Sequence, residues 1–397
     1  MAPGDDTSYF GREQSLIKHI VLEKYLERFA VITGSWCDGI VYIDGFSGPW
    51  NVQSEKLDDA SFSIALRQLR NARETIKRTF NKEIKIKCVF LEKKADTFAR
   101  LRRFADEQKD ADVTALNLEF EQAIPELVQI IKKAGNGFFP FIFVDPTGWK
   151  GFAMQTIAPL LRVEPSEILV NFMTGFILRF AEDRREEIGA GFEGLFGDAA
   201  FRDQLKGLEG REREDALVFE YAKRIGVMGR FPFVPVAVVP HPTKDRTHFH
   251  LVYATRNLKG LEVFKSAERH ALSMVGEIRA DAKRREREER TSQPEFLSGS
   301  DAPDVGYVNE LATHYGNLAR ESVHRLIREK RELSFDEAYA IGMRFPTVQL
   351  TALRGWIDEV ADVENLGERE KVAKPGAGHR IKIRDGSGTT GEFKFWQ

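Results

Sequence analysis

The sequence predicts an α/β protein with a doubly wound, Rossmann-like sheet, followed by a C-terminal winged-helix domain. Short apolar runs alternate with amphipathic stretches over residues 14–173, as in successive βαβ units. Four of these runs are followed by a carboxylate, at the edge where a parallel sheet binds its ligands. After residue 306 the pattern changes to short helical stretches and a glycine-rich, alternating tail, which is the order of a winged helix.

Composition narrows the class of protein before any motif is considered. The 397 residues are 42% hydrophobic and 30% charged, with a formal net charge of −2, which is typical of a globular protein in water. Contact with DNA or RNA therefore needs a local basic patch. Only two cysteines occur, Cys37 and Cys88, without metal-ligand spacing, and this predicts a cytoplasmic protein. The polar first residues argue against a secretion signal. No apolar run approaches the ~20 residues of a membrane helix, which argues against a membrane span.

The alternation of helix and strand begins near the start of the chain. The first helix is predicted at residues 14–32, where Ile17, Val21 and Phe29 belong to one apolar face. An apolar strand follows at residues 39–43 and stops at Asp44. Further helices are predicted at residues 60–80, 96–108 and 121–133, and further strands at residues 84–91, 113–116, 138–144 and 168–173.

The later part of the chain is predicted to complete the sheet and then to form a second domain. Residues 231–239 and 248–255 flank a turn-rich segment, which predicts a hairpin that adds an antiparallel strand at one end of the sheet. Residues 279–290 are rich in Lys and Arg, and residues 293–306 have the composition of a linker. We predict a first domain at 1–290, a linker at 291–306 and a winged helix-turn-helix-like domain at 307–397, with short helices within 320–363, a turn at 345–347 and a wing within 374–397.

Acidic residues stand at the ends of four predicted strands. Asp44, Glu92 and Asp145 follow apolar runs directly, and Glu119 comes just after the third strand. Removing such a carboxylate from water costs on the order of several kcal/mol unless donors compensate. The hydroxyls and amines of a ligand supply donors. The four acids therefore predict a ligand site at one edge of the sheet.

The loop after the first strand is the primary candidate for binding a cofactor. It comprises Asp44, Gly45, Phe46, Ser47 and Gly48, with glycines where a backbone passes close to a ligand. The loop matches neither G-x-G-x-x-G nor the P-loop, which disfavours a phosphate cradle. An acid before a loop of small residues suits a ligand with an ammonium group, such as the methionine end of S-adenosylmethionine. The alternative interpretation is a tight turn without a ligand.

Further positions complete the predicted cofactor site. Glu92 is placed to accept both ribose hydroxyls, or it is a solvated acid at a strand end. Glu119 is placed to accept from the adenine amine while Phe120 stacks on the ring, or the two residues begin a helix with an apolar contact. Lys18, next to His19 on the first helix, is placed to reach the cofactor carboxylate, or it lies on a solvated helix face.

Residues 145–149, Asp-Pro-Thr-Gly-Trp, form the second strong motif. An Asp-Pro at a strand end presents a carboxylate to the cleft, and a nearby Trp can stack on a planar base. We therefore predict that Asp145, Pro146 and Trp149 hold a methyl-accepting amine in line with the donor, as catalytic residues that act by positioning. The alternative is a turn closed by an Asp hydrogen bond beside a tryptophan of the core.

Three weaker patterns indicate other chemistry. His248 and His250 share one face of a strand, but two histidines without a third ligand make a poor metal site, and no metal is predicted. Arg256, after the last strand of the sheet, is a candidate phosphate contact. Residues 279–290 form either a solvated helix or a local contact for nucleic acid.

Five stretches of the chain together resemble the three-Cys-motif partner proteins. The resemblance implies a class I methyltransferase fold that binds S-adenosylmethionine, a trailing winged-helix domain, a radical-SAM-like partner with three cysteines, and a role in nucleic-acid processing. The stretches are residues 17–19 (Ile-Lys-His), 42–48 (Tyr-Ile-Asp-Gly-Phe-Ser-Gly), 143–151 (Phe-Val-Asp-Pro-Thr-Gly-Trp-Lys-Gly), 170–173 (Val-Asn-Phe-Met) and 253–260 (Tyr-Ala-Thr-Arg-Asn-Leu-Lys-Gly).

The chain departs from the expected motif at one place. Thr147 stands where such families often have Phe, and Thr147-Gly148 separates Pro146 from Trp149. Enzymes that methylate exocyclic amines usually carry Asp/Asn-Pro-Pro-aromatic instead. The departure affects the predicted reaction more than the predicted cofactor.

The sequence therefore predicts an S-adenosylmethionine-dependent, methyltransferase-like protein that acts on DNA or RNA with a three-Cys-motif partner. One alternative is a non-catalytic module on the same fold that binds nucleic acid for that partner. Another is a metal-dependent nuclease that uses Asp44, Glu92 and Asp145, against which the glycine-rich first loop argues.

Overall fold

A computed structural model describes residues 9–48, 57–180, 186–291, 302–365 and 379–384. The chain forms two compact units, Met1–Asn309 and Glu310–Gln397. The helices are α1 (Glu13–Gly34), α2 (Ser61–Phe80), α3 (Ala95–Glu107), α4 (Phe120–Ala134), α5 (Met154–Leu161), α6 (Thr174–Phe180), α7 (Glu186–Phe196), a 3-10 helix (Ala199–Leu205), α8 (Gly210–Gly229), α9 (Leu258–Thr291), α10 (Gly306–Lys330), α11 (Phe335–Met343) and α12 (Leu350–Val360). The strands are β1 (Gly39–Asp44), β2 (Lys85–Leu91), β3 (Asp112–Leu116), β4 (Phe138–Val144), β5 (Glu167–Phe172), β6 (Val236–Pro240), β7 (Thr247–Ala254), β8 (Glu332–Ser334), β9 (Ala361–Asn365) and β10 (His379–Ile383).

The described strands of the first unit form one sheet in the order β3-β2-β1-β4-β5-β7-β6. The pairs among β1 to β5 are parallel, whereas β7 runs antiparallel to both of its neighbours, β5 and β6. The predicted α/β class with a mostly parallel sheet is confirmed, and the predicted hairpin supplies the antiparallel strand. The strand order reverses between β1 and β4, and the carboxyl ends of strands at such a switch point are where α/β sheets bind ligands.

Burial on both faces explains why the strands are apolar runs. β1 and β5 are buried at every position, and most of their side chains are apolar. Helix α1 packs against α2 and α9, and the predicted apolar face of α1 at Ile17, Val21 and Phe29 lies in that core. Although α1 is largely buried, no helix in the described part of the chain has the length and apolar character needed to cross a bilayer.

A buried hydrogen-bond network explains residues 253–260, one of the stretches on which the family resemblance rests. Tyr25 of α1 donates to the Glu167 carboxylate, and the Tyr25 and Tyr253 hydroxyls are 2.6 Å apart. Thr255 Oγ1 donates to the other Glu167 oxygen at 2.8 Å. Burial raises the pKa of Glu167. Gly260 closes over these groups, and its backbone has no room for a side chain. The stretch therefore ties α1, β5, β7 and α9 together.

The basic segment at residues 279–290 lies in α9, and its first guanidinium is internal. Arg279 is fully buried and donates to the backbone oxygens of His241 and Lys244, to Asp245 at 2.5 Å and to Asp304 at 3.0 Å. These bonds fasten the turn between β6 and β7 to the helix. Arg279 is thus neither solvated nor available to a phosphate.

Other bases of the same segment also pair with acids. Lys283 lies 2.8 Å from Asp304, and Arg284 lies 2.7 Å from Asp281. Arg285 lies 2.7 Å from Glu13. The segment holds parts of the first unit together, which weakens its interpretation as a nucleic-acid contact, because a phosphate must displace these acids.

The second unit contains a three-stranded antiparallel sheet in the order β8-β10-β9. Its described elements follow the order helix, strand, helix, helix, strand, strand. α11 begins with a capping box in which Ser334 and Glu337 bond each other's backbone. The turn predicted at residues 345–347 falls between α11 and α12, as expected. β10 lies within the predicted wing at residues 374–397, while the rest of that stretch and most of the predicted linker lie outside the described residues.

Candidate functional site

A cleft of about 620 Å³ opens at the carboxyl ends of β1, β2 and β4 and just beyond the end of β3. Its volume is in the range of sites for small molecules and cofactors. Each of these strand ends contributes one of the regions predicted from the sequence. The lining residues are Gly45, Phe46, Leu91, Glu92, Lys93, Lys94, Leu118, Glu119, Phe120, Glu121, Asp145, Pro146, Thr147, Gly148, Trp149, Lys150, Gly151 and Phe176.

Asp44 shapes the first loop from behind the cleft wall. Its side chain is fully buried, with Phe46 N–H donating to Oδ1 at 3.0 Å and Ser61 Oγ donating to Oδ2 at 2.7 Å. Ser47 Oγ donates to the Asp44 backbone oxygen at 3.0 Å. Asp44, Ser47 and Gly48 are not among the described residues that line the cleft. The predicted contact between Asp44 and a ligand ammonium group stays a prediction, and the bonds seen here give the carboxylate a role in holding the loop.

Stability should depend on the ionisation of Asp44. Burial raises the pKa of Asp44 from 3.8 to about 6, although hydrogen bonds from Ser61 and Phe46 oppose the increase. The folded state thus holds the proton more tightly, and stability falls as pH rises from about 4 to about 6. The shift corresponds to about 3 kcal/mol. Urea unfolding of the wild type and of Asp44→Asn across this range should show the variant gaining relative stability with pH. A constant difference between the two would contradict the assignment.

The backbone of the first loop is fastened to both neighbouring strands. Gly45 N–H donates to Phe143 O at 2.9 Å, and Ser47 N–H donates to Leu91 O at 2.7 Å. A Cβ at Gly45 would lie 2.6 Å from the ring of Phe120, which packs on Phe46 with ring centroids 5.5 Å apart. Glycine is therefore required at position 45 by close packing of an aromatic ring rather than by an unusual φ angle.

Glu92 is held at the end of β2 with one carboxylate oxygen fixed. Its N–H donates to Leu116 O at 3.1 Å, and Lys94 N–H donates to Glu92 Oε1 at 2.6 Å. Asn117 Nδ2 donates to the Glu92 backbone oxygen at 2.7 Å. Within the described part of the chain no donor reaches Oε2. The carboxylate is buried apart from 7% of the residue surface, lines the cleft and retains an acceptor.

Glu119 and Phe120 follow β3 and line the cleft with different exposure. Glu119 precedes α4, its side chain is half exposed, and Lys93 Nζ lies 3.3 Å from Oε1. Phe120 is buried except for 2% of its surface and forms part of the wall. The structure thus places both residues at the cleft, and their predicted contacts with adenine stay predictions.

Asp145 belongs to a polar cluster that spans three elements. Asn171 Nδ2, from β5, donates to Asp145 Oδ1 at 2.6 Å. Lys18 Nζ, from α1, bonds the other oxygen, Oδ2, and the Lys18 side chain is 9% exposed. The structure therefore gives Lys18 a different partner from the cofactor carboxylate predicted for it, because α1 packs its buried face onto the ends of β4 and β5. The signal for Asn171 in the sequence is a polar residue within an apolar strand.

Trp149 forms part of the cleft wall and is itself largely buried. Its ring is tilted against Phe192 with centroids 4.6 Å apart, and Lys150 Nζ lies 5.0 Å from the ring centroid. Gly191 of α7 meets the ring so closely that no side chain fits there. With 7% of its surface exposed, Trp149 packs like a core residue, which is the alternative interpretation of the motif. Stacking on a planar base stays a prediction.

The charged rim of the cleft was not predicted from the sequence. Lys93, Lys94 and Lys150 line it beside Glu121. Glu121 accepts from Ala153 N–H at 2.6 Å, which joins α4 to the start of α5. The signal that could have found part of this rim is the Lys-Lys pair directly after Glu92. Lysines beside the strand-end acids make the cleft mixed in charge.

The weaker candidates have structural partners. His250 is fully buried with Nδ1 2.7 Å from Thr174 Oγ1, and burial lowers the pKa of His250 to about 3. Arg256 donates to Gly229 O at 2.6 Å and lies 4.0 Å over the ring of Phe231. Arg256 thus holds the end of α8, and the structure gives no support to its predicted phosphate contact.

Two further observations concern the histidines and the nuclease alternative. His248 packs on His241 with ring centroids 5.4 Å apart, and burial lowers the pKa of both. Among the described residues, His, Cys, Asp and Glu form no group of three that could hold a metal ion. The trio Asp44, Glu92 and Asp145 is therefore not arranged as a common set of ligands in the described structure.

Comparison with known proteins adds little to this geometry. No protein-family model matches the chain, and no curated protein matches its sequence. The chain is similar to a solved structure titled "Loganic acid methyltransferase with SAH" at 12% sequence identity and a TM-score of 0.30. The match covers 77% of this chain and 95% of that chain. A likeness at this TM-score carries no argument about what this chain binds or does.

Proposed function

We propose that this chain binds S-adenosylmethionine in the cleft and transfers its methyl group to an acceptor held beside Asp145. The observation that carries the proposal is the convergence of three strand ends on one cleft. The Gly45–Phe46 loop, Glu92 and Asp145 come from β1, β2 and β4 and line the same space. This space lies at the switch point of the sheet, where a cofactor is expected.

The strand order supports the same proposal. Strands β3-β2-β1-β4-β5 follow the order of a dinucleotide-binding sheet. The antiparallel β7 lies between β5 and β6 rather than at the edge. An antiparallel strand inserted at this place is typical of class I methyltransferases, the fold that the family resemblance implies.

The residues of the cleft fit the cofactor in their chemistry. Glu92 Oε2 belongs to a carboxylate that lines the cleft, and it is an acceptor suited to ribose hydroxyls. Glu119 offers an acceptor for the adenine amine, and Phe46 with Phe120 offers an apolar wall for the ring. Lys93, which lies 3.3 Å from Glu119, and Lys94 offset the negative charge of these acids at the rim. This donor set lacks the glycine-rich cradle that a pyrophosphate requires, which favours S-adenosylmethionine over a dinucleotide.

The chemistry requires little from the protein beyond placement. The bound cofactor supplies an electrophilic methyl group on a sulfonium. Asp145 accepts a hydrogen bond from the acceptor and orients it, and the aromatic wall of the cleft keeps water away from the reacting pair. Lys18 pairs with Asp145, which fixes the direction of that carboxylate.

One observation favours a second candidate, a module that binds the cofactor without transferring a methyl group. Both Asp145 oxygens already accept bonds from Lys18 and Asn171. A carboxylate satisfied in this way has less capacity to bind an acceptor. Under this candidate the chain serves its partner by binding nucleic acid.

Nucleic acid as substrate and a three-Cys-motif protein as partner belong to the proposal as well. The rim lysines Lys93, Lys94 and Lys150 support contact with a polyanion. The order of elements in the second unit, with its three-stranded antiparallel sheet, supports a winged helix. The partner rests on the family resemblance alone.

Methyl transfer from labelled S-adenosylmethionine to duplex DNA and to RNA tests the proposed function. We expect incorporation into one of the two, and Asp145→Asn should lower it by on the order of 100-fold, because the acceptor loses its orientation. Binding of the cofactor should change little in that variant.

Three outcomes separate the candidates. Cofactor binding without incorporation, together with salt-dependent DNA binding, would favour the non-catalytic module. Metal-dependent cleavage that Asp145→Asn abolishes would favour the nuclease. Neither binding nor incorporation would contradict the proposed function.

A further inference from the structure

Asn171 carries a buried hydrogen-bond acceptor that the described protein leaves without a partner. The residue is the last but one of β5, and 3% of its surface is exposed. Its Nδ2 donates to Asp145 Oδ1 at 2.6 Å and lies 3.6 Å from Met173 Sδ. Its Oδ1 is inaccessible to solvent and accepts no hydrogen bond from any described residue.

The orientation of this amide is fixed by its neighbour. Both oxygens of the Asp145 carboxylate accept hydrogen bonds, one of them from Lys18, so the amide nitrogen of Asn171 must face it. Turning the amide over would place Oδ1 against a carboxylate oxygen and lose the bond. The unpartnered oxygen is therefore a consequence of the Asp145 contact and not of an arbitrary choice of rotamer.

A buried acceptor without a hydrogen-bond donor, such as Asn171 Oδ1, needs an explanation. Leaving a buried acceptor unsatisfied costs about 1–3 kcal/mol, and folded proteins rarely do so. The Oδ1 atom without a partner lies on Asn171, which donates to Asp145; Asp145 lines the cleft, whereas Asn171 is not among the described lining residues. A donor that arrives with a ligand at Asp145 is the simplest way to satisfy it.

Resting on the proposed function, we propose that Asn171 and Asp145 together bind the amino group that receives the methyl. An amino group has two N–H bonds, one for Asn171 Oδ1 and one for an Asp145 oxygen. A hydroxyl has only one. A carboxylate has none, and the ionised Asp145 would repel it. The pair therefore selects a neutral amine, such as the exocyclic amine of a base, over oxygen acceptors.

Lys18 is a positioning residue in this arrangement. It touches Asp145 from α1 and faces neither the amine nor the methyl donor in the proposal. Its bond to Oδ2 holds the Asp145 carboxylate in place and directs Oδ1 toward Asn171. The three side chains come from α1, β4 and β5, so each is held by a different part of the core.

Two cofactor analogues test this inference without knowledge of the substrate. S-adenosylhomocysteine has a bare sulfur at the centre of reaction. Sinefungin carries an amino group on the carbon that replaces this sulfur, and so offers N–H donors near the place of the methyl group. We expect the wild type to bind sinefungin about 10-fold more tightly than S-adenosylhomocysteine, as measured by calorimetry.

The substitution Asn171→Leu should remove this preference. Leucine has a similar size and no acceptor, so sinefungin affinity should fall about 10-fold, while S-adenosylhomocysteine affinity stays within about twofold. Met173→Leu is the matched control, since it changes the neighbouring side chain without removing an acceptor, and both affinities should remain. A merely structural role of Asn171 would move both ligands together.

The outcomes distinguish this inference from the proposed function. Equal binding of the two analogues by the wild type would overturn the amine site and leave the cofactor cleft intact. An unchanged ratio in Asn171→Leu would do the same. Failure of the wild type to bind S-adenosylhomocysteine at all would overturn both. The wild-type ratio decides the matter even if Asn171→Leu does not fold.

Discussion

Replacement of Glu92 by alanine should weaken binding of S-adenosylmethionine by about 10- to 100-fold. A carboxylate that accepts from a ribose hydroxyl makes a charge-assisted bond, which stabilises the complex by about 1.5–3 kcal/mol. Lys94 N–H fixes Oε1, so Oε2 is presented without further ordering. Isothermal titration calorimetry of wild type and variant measures the difference directly.

Glu119→Ala is the matched control for Glu92→Ala. Both residues are glutamates that line the cleft, but the Glu119 side chain is half exposed, and its partner among the described residues is a rim lysine at 3.3 Å. We expect its loss to weaken binding by less than about fivefold, since bonds at exposed positions compete with water. If Glu119→Ala weakened binding more than Glu92→Ala, the assignment of the ribose to Glu92 would be wrong.

Replacement of Gly260 by alanine should destabilise the first unit by about 2–4 kcal/mol. The new Cβ would lie 2.6 Å from both Glu167 Oε1 and the Tyr253 hydroxyl, and 2.7 Å from Thr255 Oγ1. These atoms belong to one buried network, so moving any of them breaks a hydrogen bond. Alanine also favours helix over glycine by about 1 kcal/mol, which offsets only part of the loss.

Gly194→Ala provides the control within the same unit. Gly194 is also in a helix, and its added Cβ would meet only Ala153 at 3.7 Å, an ordinary contact. This variant should be as stable as the wild type or slightly more stable. Thermal unfolding followed by circular dichroism compares all three proteins. Equal midpoints for Gly260→Ala and the wild type would refute the packed network.

The strands could be predicted because their burial requires apolar residues within the strand segment itself. A parallel strand covered on both faces is a continuous apolar run, and the run predicted at residues 138–144 coincides with β4. The helix predicted at residues 60–80 differs from α2 by one residue. In both cases the periodicity lies within the segment itself, so one sequence suffices.

The helices between β4 and β6 were not predicted from the sequence. α5 has eight residues and contains Pro159, which weakens a helical signal. α8 is buried on several sides, so its apolar residues do not form a single stripe. Where tertiary contacts cover most of a helix, local periodicity is weak and the pattern carries little information.

The same distinction holds within the cleft. Gly45, Glu92 and Asp145 were identified because their position after a strand is a local property. Whether a strand-end acid turns toward the cleft depends on distant donors. Ser61, seventeen residues away, helps to hold Asp44 behind the wall, and no pattern within the loop reveals it.

The polar cluster around Asp145 could not be predicted from the sequence for the same reason. Lys18 lies 127 residues before Asp145, and Asn171 lies 26 residues after it. Only the packing of α1 onto the sheet and the pairing of β4 with β5 bring them together. The sequence motif at residues 145–149 thus contains just one member of the unit that we propose to select the acceptor.

The most direct test of a cofactor cleft in this chain is calorimetric titration of the wild-type protein with S-adenosylmethionine. A cleft of this size with an acceptor in its lining predicts saturable binding with a dissociation constant below about 100 μM, one site per chain. Binding should be competed by S-adenosylhomocysteine and not by NAD. No heat of binding at millimolar ligand, with the protein shown to be folded, would contradict the proposal.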